Sequence, residues 1–205
     1  MRAKTTKNRP PLVLASTSVY RRALLGRLGL AFETMAPGVD ETALPGEPPA
    51  TTAVRLAEAK ARAVAARHAR ALVLGSDQVA DLDGAAIGKP GDHAHAREQL
   101  ARVSGRVVVF HTAVALVNAE TGNCQTRLVD ATTKFRTLTG DAIEQYLRRE
   151  QPYDCASSVK AEALGIAVVE AIHSEDPTAL IGLPLIAVVD LLRNEGVDVL
   201  APSGD

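Results

Sequence analysis

Aromatic residues are scarce in this chain: they make up 3% of its 205 residues, and tryptophan is absent. The core must therefore be built mainly from alanine, valine and leucine. Modules that bind nucleic acid by stacking bases need more rings than this, and they carry an excess of positive charge. Because the formal net charge is −1, both features disfavour a nucleic-acid partner. Any anion site has to come from a local cluster of cations.

The chain also lacks a disulfide pattern and a membrane segment. Its two cysteines, Cys124 and Cys155, form neither a CxxC pair nor a zinc-ligand spacing, and we interpret them as isolated thiols of a reducing compartment. The five histidines show no metal-ligand spacing either. The basic start, MRAKTTKNRPP, has no apolar stretch typical of a signal peptide, and no apolar run could span a bilayer. We expect a cytoplasmic protein without a membrane partner.

Hydrophobic residues, in contrast, make up 46% of the chain, which is long enough to bury a substantial core. There is no internal repeat and no low-complexity linker. We predict a flexible basic segment over residues 1–10, a single domain over 11–200 and a short C-terminal tail over 201–205.

Helices and strands alternate early in the chain, and a long antiparallel pair follows. Apolar runs predict strands in PLVLAS, AFETMAP, ALVLGSD and GIAVVEAIH, and two long strands joined by a turn near 121–123. Helices are predicted over about 18–30, from 51 or 52 to 68, from the cap Asp92 to 103, from the cap Thr139 to 150, and in LPLIAVVDLLRNEG, which Gly196 ends. A hairpin is expected around Asp83. This order predicts an α/β fold with a mixed sheet.

The stretch LASTSVYRR places Arg21 and Arg22 in the first turn of a predicted helix. The helix dipole makes cations mildly unfavourable there, and no acidic residue appears before Glu33. A strand that ends in hydroxyl residues such as Ser16 and leads into a helix N-terminus is suited to an anion, and arginine suits phosphate. The alternative is a solvated helix face with ordinary surface arginines.

Two further residues occupy unusual places in the predicted elements. Asp77 ends an apolar strand, where ligands bind in open α/β sheets, and could hold a metal or act as a general base. A capping or turn aspartate is the alternative. Lys60 falls on the apolar side of its helix, which is costly unless the ammonium is paired. It either reaches outward to water or points into a cleft that holds an anion.

The remaining candidates are charged residues whose default interpretation, taken singly, is a solvated surface. They are Glu41 in GVDET, Lys89 in IGKP, and Lys160 and Glu162 in CASSVKAEALG. With the arginines, Lys60 and Asp77, they form a cationic set that includes a few carboxylates. This composition suits a nucleoside triphosphate with a divalent cation, Mg²⁺ or Mn²⁺.

These residues lie in blocks that resemble the Maf family of nucleoside triphosphate pyrophosphatases over about residues 11–200. The blocks, in order, are LASTSVYRR, VDE, RLAEAKA, GSDQV, GKP, SGRVVVFHT, CASSVKAEALG and LIGLPL. The resemblance implies cleavage of the α–β phosphoanhydride to a nucleoside monophosphate and pyrophosphate. It also implies an elongated mixed sheet with two lobes around a cleft, as in inosine triphosphatases, and a homodimer.

The resemblance also implies roles for individual residues. Asp77 would accept the proton, and Glu41 with Asp77 would hold the metal. The phosphates would be bound by Ser16, Arg21, Arg22, Lys60, Lys89 and Lys160.

The resemblance extends to a branch of the family that acts on 7-methyl-GTP, because this chain has Gln78, Lys160 and Glu162 where that branch has them. N7-methylation makes guanine cationic, so the ring of Tyr20 could hold it by a cation–π contact. Glu162 could accept hydrogen bonds from the guanine edge. These features predict a house-cleaning enzyme that removes a modified nucleotide.

The chain departs from the family pattern at three positions. Val19 stands where proline is common, Tyr20 replaces a tryptophan, and Ser157 replaces a glycine. Two alternatives stay open: a pyrophosphatase for dTTP or UTP, and a non-catalytic regulator of septum formation.

Overall fold

The computed structural model describes residues 9–201. Most of the predicted N-terminal segment and C-terminal tail lies outside these described residues. No helix within 9–201 has both the length and the apolar character needed to cross a membrane.

Within residues 9–201, seven strands form one mixed sheet in the order β2-β1-β3-β5-β6-β7, with β4 beside β3. They are β1 (Leu12–Leu14), β2 (Phe32–Thr34), β3 (Leu72–Leu82), β4 (Ala85–Ile87), β5 (Val107–Asn118), β6 (Cys124–Phe135) and β7 (Val169–Ser174). β1 is parallel to both β2 and β3, whereas β3, β5, β6 and β7 pair antiparallel in succession. The predicted α/β fold with a mixed sheet is confirmed.

In the described part of the chain, five α-helices flank the sheet. They are α1 (Val19–Gly26), α2 (Pro49–Ala65), α3 (His93–Val103), α4 (Gly140–Glu150) and α5 (Leu185–Asn194). The caps predicted for α3 and α4 are confirmed, since the side chains of Asp92 and Thr139 each accept a hydrogen bond from the first turn of their helix.

Several predicted boundaries were wrong, including the end of α2, which is Ala65 rather than residue 68. α1 ends at Gly26 rather than at residue 30, because tight turns lead from it into Gly29, whose φ is +67°. α2 begins at Pro49, not at the threonines of 51 and 52, since proline fits the first helical position without a side-chain cap. β7 begins at Val169, because the residues before it, Leu164–Val168, form 3₁₀ turns.

The sheet carries two lobes with separate apolar cores. In the first lobe, α1 and α5 cover one sheet face around Leu14 and Leu74, and α2 covers the opposite face around Val73. In the second lobe, α3 and α4 pack around Phe110 and Phe135. The long strands β3, β5 and β6 pass through both lobes, so the predicted two-lobed form is confirmed.

The lobes meet at a gap in the sheet beside β3. β1 pairs with β3 only as far as Leu74, and β4 joins the same side of β3 from Ala80 onward. Asp77 lies between these points, so it is in the middle of an eleven-residue strand rather than at a strand end as predicted. The prediction failed because the polar residues that seemed to end the strand continue pairing with β5.

Helix α2 lies unusually close to β3 at Gly75. A Cβ atom on this glycine would clash with the carbonyl oxygen of Ala57 and lie 2.6 Å from the nitrogen of Ala61. The absence of a side chain therefore lets α2 approach the sheet, which brings Lys60 within reach of Asp77.

Candidate active site

A cleft of about 660 Å³ opens at the gap in the sheet. Its walls come from both lobes: the segment that leads into α1, helix α2 and the loop before it on one side, and β4 with the loop after α4 on the other. Eight of the predicted site residues line it: Ser16, Tyr20, Arg21, Glu41, Lys60, Asp77, Gln78 and Lys89.

Lys60 lies at the centre of the charged part of the cleft. Its side chain is buried on α2, and its Nζ atom lies 2.7 Å from Oδ1 of Asp77 and 2.9 Å from Oε1 of Glu41. The ammonium is therefore paired inside the protein instead of reaching outward to water. It holds two carboxylates from distant parts of the chain at one point.

Asp77 is a buried carboxylate in a mainly cationic setting. Burial raises its pKa above the ordinary value, and the neighbouring Lys60 and Arg21 oppose that rise. A carboxylate with a raised pKa is a stronger base than a solvated one, and the ion pair with Lys60 favours its ionised form. Such a group can accept a proton from water.

The two arginines of the opening motif take different positions. Arg21 Nε donates a hydrogen bond of 2.8 Å to the carbonyl oxygen of Gly182, and burial lowers its pKa while Asp77 and Glu41 oppose that change. Arg22 is exposed and does not line the cleft. Successive helical residues point in different directions, so only the first arginine of the pair turns inward.

The hydroxyl residues before α1 shape the turn that carries Arg21. Ser18 caps the helix, because its Oγ accepts from the Arg21 backbone nitrogen at 3.3 Å. The buried Ser16 Oγ accepts from the Ser18 nitrogen at 3.1 Å and faces the cleft. The N-terminus of α1 therefore opens into the same cavity as Lys60, where it favours an anion.

A turn at Ala179–Gly182 positions the side chains of Arg21 and Gln78. Besides the bond from Arg21, the Gly182 carbonyl accepts from Ser76 Oγ at 3.0 Å. Gln78 Nε2 donates to the carbonyls of Ala179 and Leu180 at 3.0 and 3.1 Å. The amide nitrogen of Gln78 is thus used by the protein. Sequence reasoning missed this turn, although the block LIGLPL contains part of it.

The loop that carries Glu41 is fixed to α2 by a second ion pair. Arg55 Nε lies 2.6 Å from Oε1 of Glu47, and the same guanidinium donates to the carbonyl of Thr42 at 3.1 Å. Glu47 also accepts from the Leu44 nitrogen and the Thr52 hydroxyl. These hydrogen bonds, led by the one from Arg55, lower the pKa of Glu47 to about 2.

The other end of the cleft is built around Tyr20. Lys160 Nζ lies 5.7 Å from the centre of the tyrosine ring and 3.2 Å from Oε1 of Glu150. The phenol donates to Oδ2 of Asp154 at 3.5 Å. Burial raises the pKa of the phenol, and Cys155, Asp154 and Glu162 add to the rise. Lys160 therefore lies beside the tyrosine ring and is not among the residues that line the cleft.

Sequence reasoning missed Glu150 and Asp154 because neither belongs to the blocks that carry the resemblance. The contact between Tyr20 and Asp154 joins residues 134 positions apart in the chain. No local pattern could have indicated it.

The charged set can be compared with what a metal ion needs. No group of three histidine, cysteine, aspartate or glutamate side chains within residues 9–201 is placed to hold a metal. Glu41 and Asp77 do converge on one point through Lys60. Two carboxylates suit Mg²⁺ or Mn²⁺ when phosphate oxygens and water complete the shell.

Both cysteines are free thiols, as predicted.

This fold and cleft define a mixed α/β protein with a cation-lined cleft between two lobes. The sequence model of the family described as Maf-like protein matches residues 11–195. The chain belongs to the Maf-like protein family.

Similar proteins carry a more specific name. The chain is 58% identical over 195 residues to a 7-methyl-GTP pyrophosphatase of Thiobacillus denitrificans, covering 95% of this chain and 97% of that protein. It is 56% identical over 186 residues to the 7-methyl-GTP pyrophosphatase of Ralstonia nicotianae, covering 91% and 96%. A protein of the same name from Bordetella pertussis is 56% identical over 193 residues, covering 93% and 95%.

Proposed function

We propose that this chain is a pyrophosphatase that hydrolyses 7-methyl-GTP to 7-methyl-GMP and pyrophosphate. The observation that carries the proposal is the charge layout of the cleft. Arg21, Lys60 and Lys89 line one part of it, while the aromatic ring of Tyr20 lines another. A nucleotide with an anionic triphosphate and a cationic base matches both parts, and relatives of the same length carry this name.

In the proposed reaction Asp77 acts as the general base. A water oxygen forms a bond to the α-phosphorus as its proton passes to the Asp77 carboxylate, and the bond from that phosphorus to the bridging oxygen of pyrophosphate breaks. Lys60, 2.7 Å from Oδ1, keeps the carboxylate ionised and oriented. Arg21, the N-terminus of α1 and Lys89 stabilise charge on the phosphates.

A divalent cation, Mg²⁺ or Mn²⁺, belongs to the proposal. Glu41 and Asp77 would hold it, and when bound it would neutralise charge on the phosphate oxygens. Lys60 would then keep the two carboxylates close together. Arg22 and Lys160 stay predicted phosphate ligands, and Gln78 and Glu162 stay predicted base-reading residues.

The resemblance to the Maf family supports three further parts of the proposal. A single domain over residues 11–200 carries the activity, the protein acts as a cytoplasmic homodimer, and nucleic acid is not its substrate. The net charge of −1 agrees with the last of these.

The first experiment is pyrophosphate release from 7-methyl-GTP, GTP, UTP and dTTP with Mg²⁺ and with Mn²⁺. Wild type should prefer 7-methyl-GTP, and Asp77→Asn should lower kcat by about 10²–10⁴-fold, the contribution of a general base. Asp190→Asn on the exposed face of α5 removes the same charge outside the cleft and should retain full activity.

Each alternative has its own outcome. If UTP or dTTP is preferred, the assignment of 7-methylguanine as the base is wrong, but the proposed hydrolysis to a monophosphate and pyrophosphate is still supported. If Asp77→Asn keeps the wild-type rate, Asp77 is not the base. If no nucleotide is hydrolysed with either metal, the non-catalytic regulator becomes the better interpretation.

A further inference from the structure

One contact at the base end of the cleft has no role in the proposed reaction. Asp154 is exposed, lines the cleft and accepts a hydrogen bond of 3.5 Å from the phenol of Tyr20. It lies in the segment between α4 and the short turn Ala156–Ser158, and it comes from the second lobe, whereas Tyr20 comes from the first. The two residues face each other across the mouth of the cleft.

A carboxylate in this position changes what the tyrosine ring can bind. When a phenol donates to a carboxylate, electron density moves toward the ring, and the negative potential over the ring face increases. The carboxylate also adds its own attraction for a nearby cation. Both effects favour a positively charged ligand over a neutral one of the same shape.

The structure already holds a cation over this ring. Lys160 Nζ is 5.7 Å from the ring centre, and its ammonium is also paired with Glu150. The ring of Tyr20 therefore lies in a setting that attracts a cation. A cationic base would share that setting. Lys160 is paired with Glu150 at 3.2 Å, whereas Asp154 forms no ion pair within residues 9–201, so its negative charge is available to a cationic ligand.

We propose that Asp154 is a specificity-determining residue, which favours a nucleotide whose purine ring carries a positive charge over the corresponding neutral purine nucleotide. This inference rests on the proposed function, since it assumes that the base lies near Tyr20. It assigns to Asp154 the discrimination between 7-methylguanine and guanine, which differ by a methyl group and by the charge that it brings.

A purely structural role for Asp154 makes a different prediction. Its Oδ1 also lies 3.5 Å from the Cys155 thiol, so the carboxylate could simply fix the loop. Loss of a loop anchor would impair both purine nucleotides in the same proportion. Loss of a charge that attracts the cationic base would lower kcat/KM only for 7-methyl-GTP.

The test compares kcat/KM for 7-methyl-GTP and GTP in wild type, Asp154→Asn and Tyr20→Phe. Asp154→Asn keeps the size of the side chain and removes its charge, and Tyr20→Phe keeps the ring and removes the phenol hydroxyl. Each should lower the preference for 7-methyl-GTP by about fivefold, the size of a modest cation–π contribution, with GTP changed less than about twofold. Asp190→Asn serves as the matched charge control and should leave the preference unchanged.

Two additional measurements sharpen the result. The double variant should lose little more than either single variant, because the two residues act through one contact. Raising the ionic strength from about 0.05 M to about 0.5 M should reduce the preference in wild type and have less effect in Asp154→Asn, since salt screens the charge of an exposed carboxylate. Equal losses for both nucleotides, or an unchanged preference, would overturn the inference.

The inference and the proposed function can fail separately. If wild type hydrolyses neither nucleotide, calorimetric binding of 7-methyl-GMP and GMP decides the role of Asp154. Tighter binding of 7-methyl-GMP that disappears in Asp154→Asn would support it without catalysis. Equal binding of the two monophosphates by wild type, or no binding of either, would overturn it.

Discussion

Ser157 has a backbone conformation that suits glycine better than serine. Its φ is +54° and its ψ is 21°, in the left-handed region, and its side chain is completely buried. Its hydroxyl finds no hydrogen-bond partner within residues 9–201. This is the position at which the resemblance leads one to expect glycine, so the departure in sequence is also a point of strain.

Replacing this serine should therefore stabilise the protein. Ser157→Gly should raise the free energy of unfolding by about 1 kcal/mol, because it relieves the left-handed backbone and removes a buried unpaired hydroxyl, while the greater freedom of unfolded glycine offsets part of the gain. Urea denaturation measures the change. Ser157→Ala is the control: it removes the hydroxyl but keeps the strained φ, so an equal gain in both variants would contradict the backbone explanation.

Glu47 provides a pH-dependent part of the stability. Its pKa is about 2 in the folded protein and close to 4.5 when unfolded, so the unfolded state binds the proton more readily between these values. Its stabilising effect is therefore present above pH 4.5, decreases as the pH falls, and is lost near pH 2. Glu47→Gln should be less stable than wild type at pH 7, and the difference should shrink by pH 3.

Urea unfolding of both proteins at the two pH values measures this difference. A constant difference between them would show that the Glu47 carboxylate does not titrate as described. Because Glu47 and Arg55 fix the loop that carries Glu41, the variant should also need more Mg²⁺ for half-maximal activity.

At the scale of elements, the approach of α2 to β3 depends on Gly75. Gly75→Ala would force the helix away from the strand, because the added Cβ meets backbone atoms of Ala57 and Ala61, which can move only with the helix itself. We expect a loss of about 1–3 kcal/mol in the free energy of unfolding, typical of overpacking, and a lower kcat because Lys60 moves from Asp77.

Gly140→Ala at the start of α4 is a suitable control, since a Cβ there meets no atom within 4 Å. Urea unfolding and pyrophosphate release from both variants complete the test. Wild-type stability in Gly75→Ala would mean that the helix can shift without cost.

The same elements show what the sequence could predict. The caps Asp92 and Thr139 were predicted correctly because a cap depends on residues three positions apart. Lys60 was singled out by helical periodicity, and its burial is visible in the pattern of its own helix. The full length of β3 was missed, because Ser76 and Asp77 are polar yet buried, and only the neighbouring strand and the cleft explain them. Contacts such as Tyr20 with Asp154 depend on the whole fold.

At the scale of the molecule, the two lobes should unfold together. β3, β5 and β6 are hydrogen-bonded along both lobes, so neither core can open without breaking strands that the other core needs. Calorimetry should show one transition whose calorimetric and van't Hoff enthalpies agree. Two resolved transitions, or a van't Hoff enthalpy well below the calorimetric one, would contradict this.

The shared strands also restrict how the molecule can move. Many enzymes with a cleft between lobes close over their substrate by rotation about a few linker residues. Here the floor of the cleft is a pleated sheet, and a hinge would have to bend three paired strands at once. The width of the cleft is therefore set before any ligand arrives, and the time for one turnover should be governed by chemistry and product escape rather than by a closing motion.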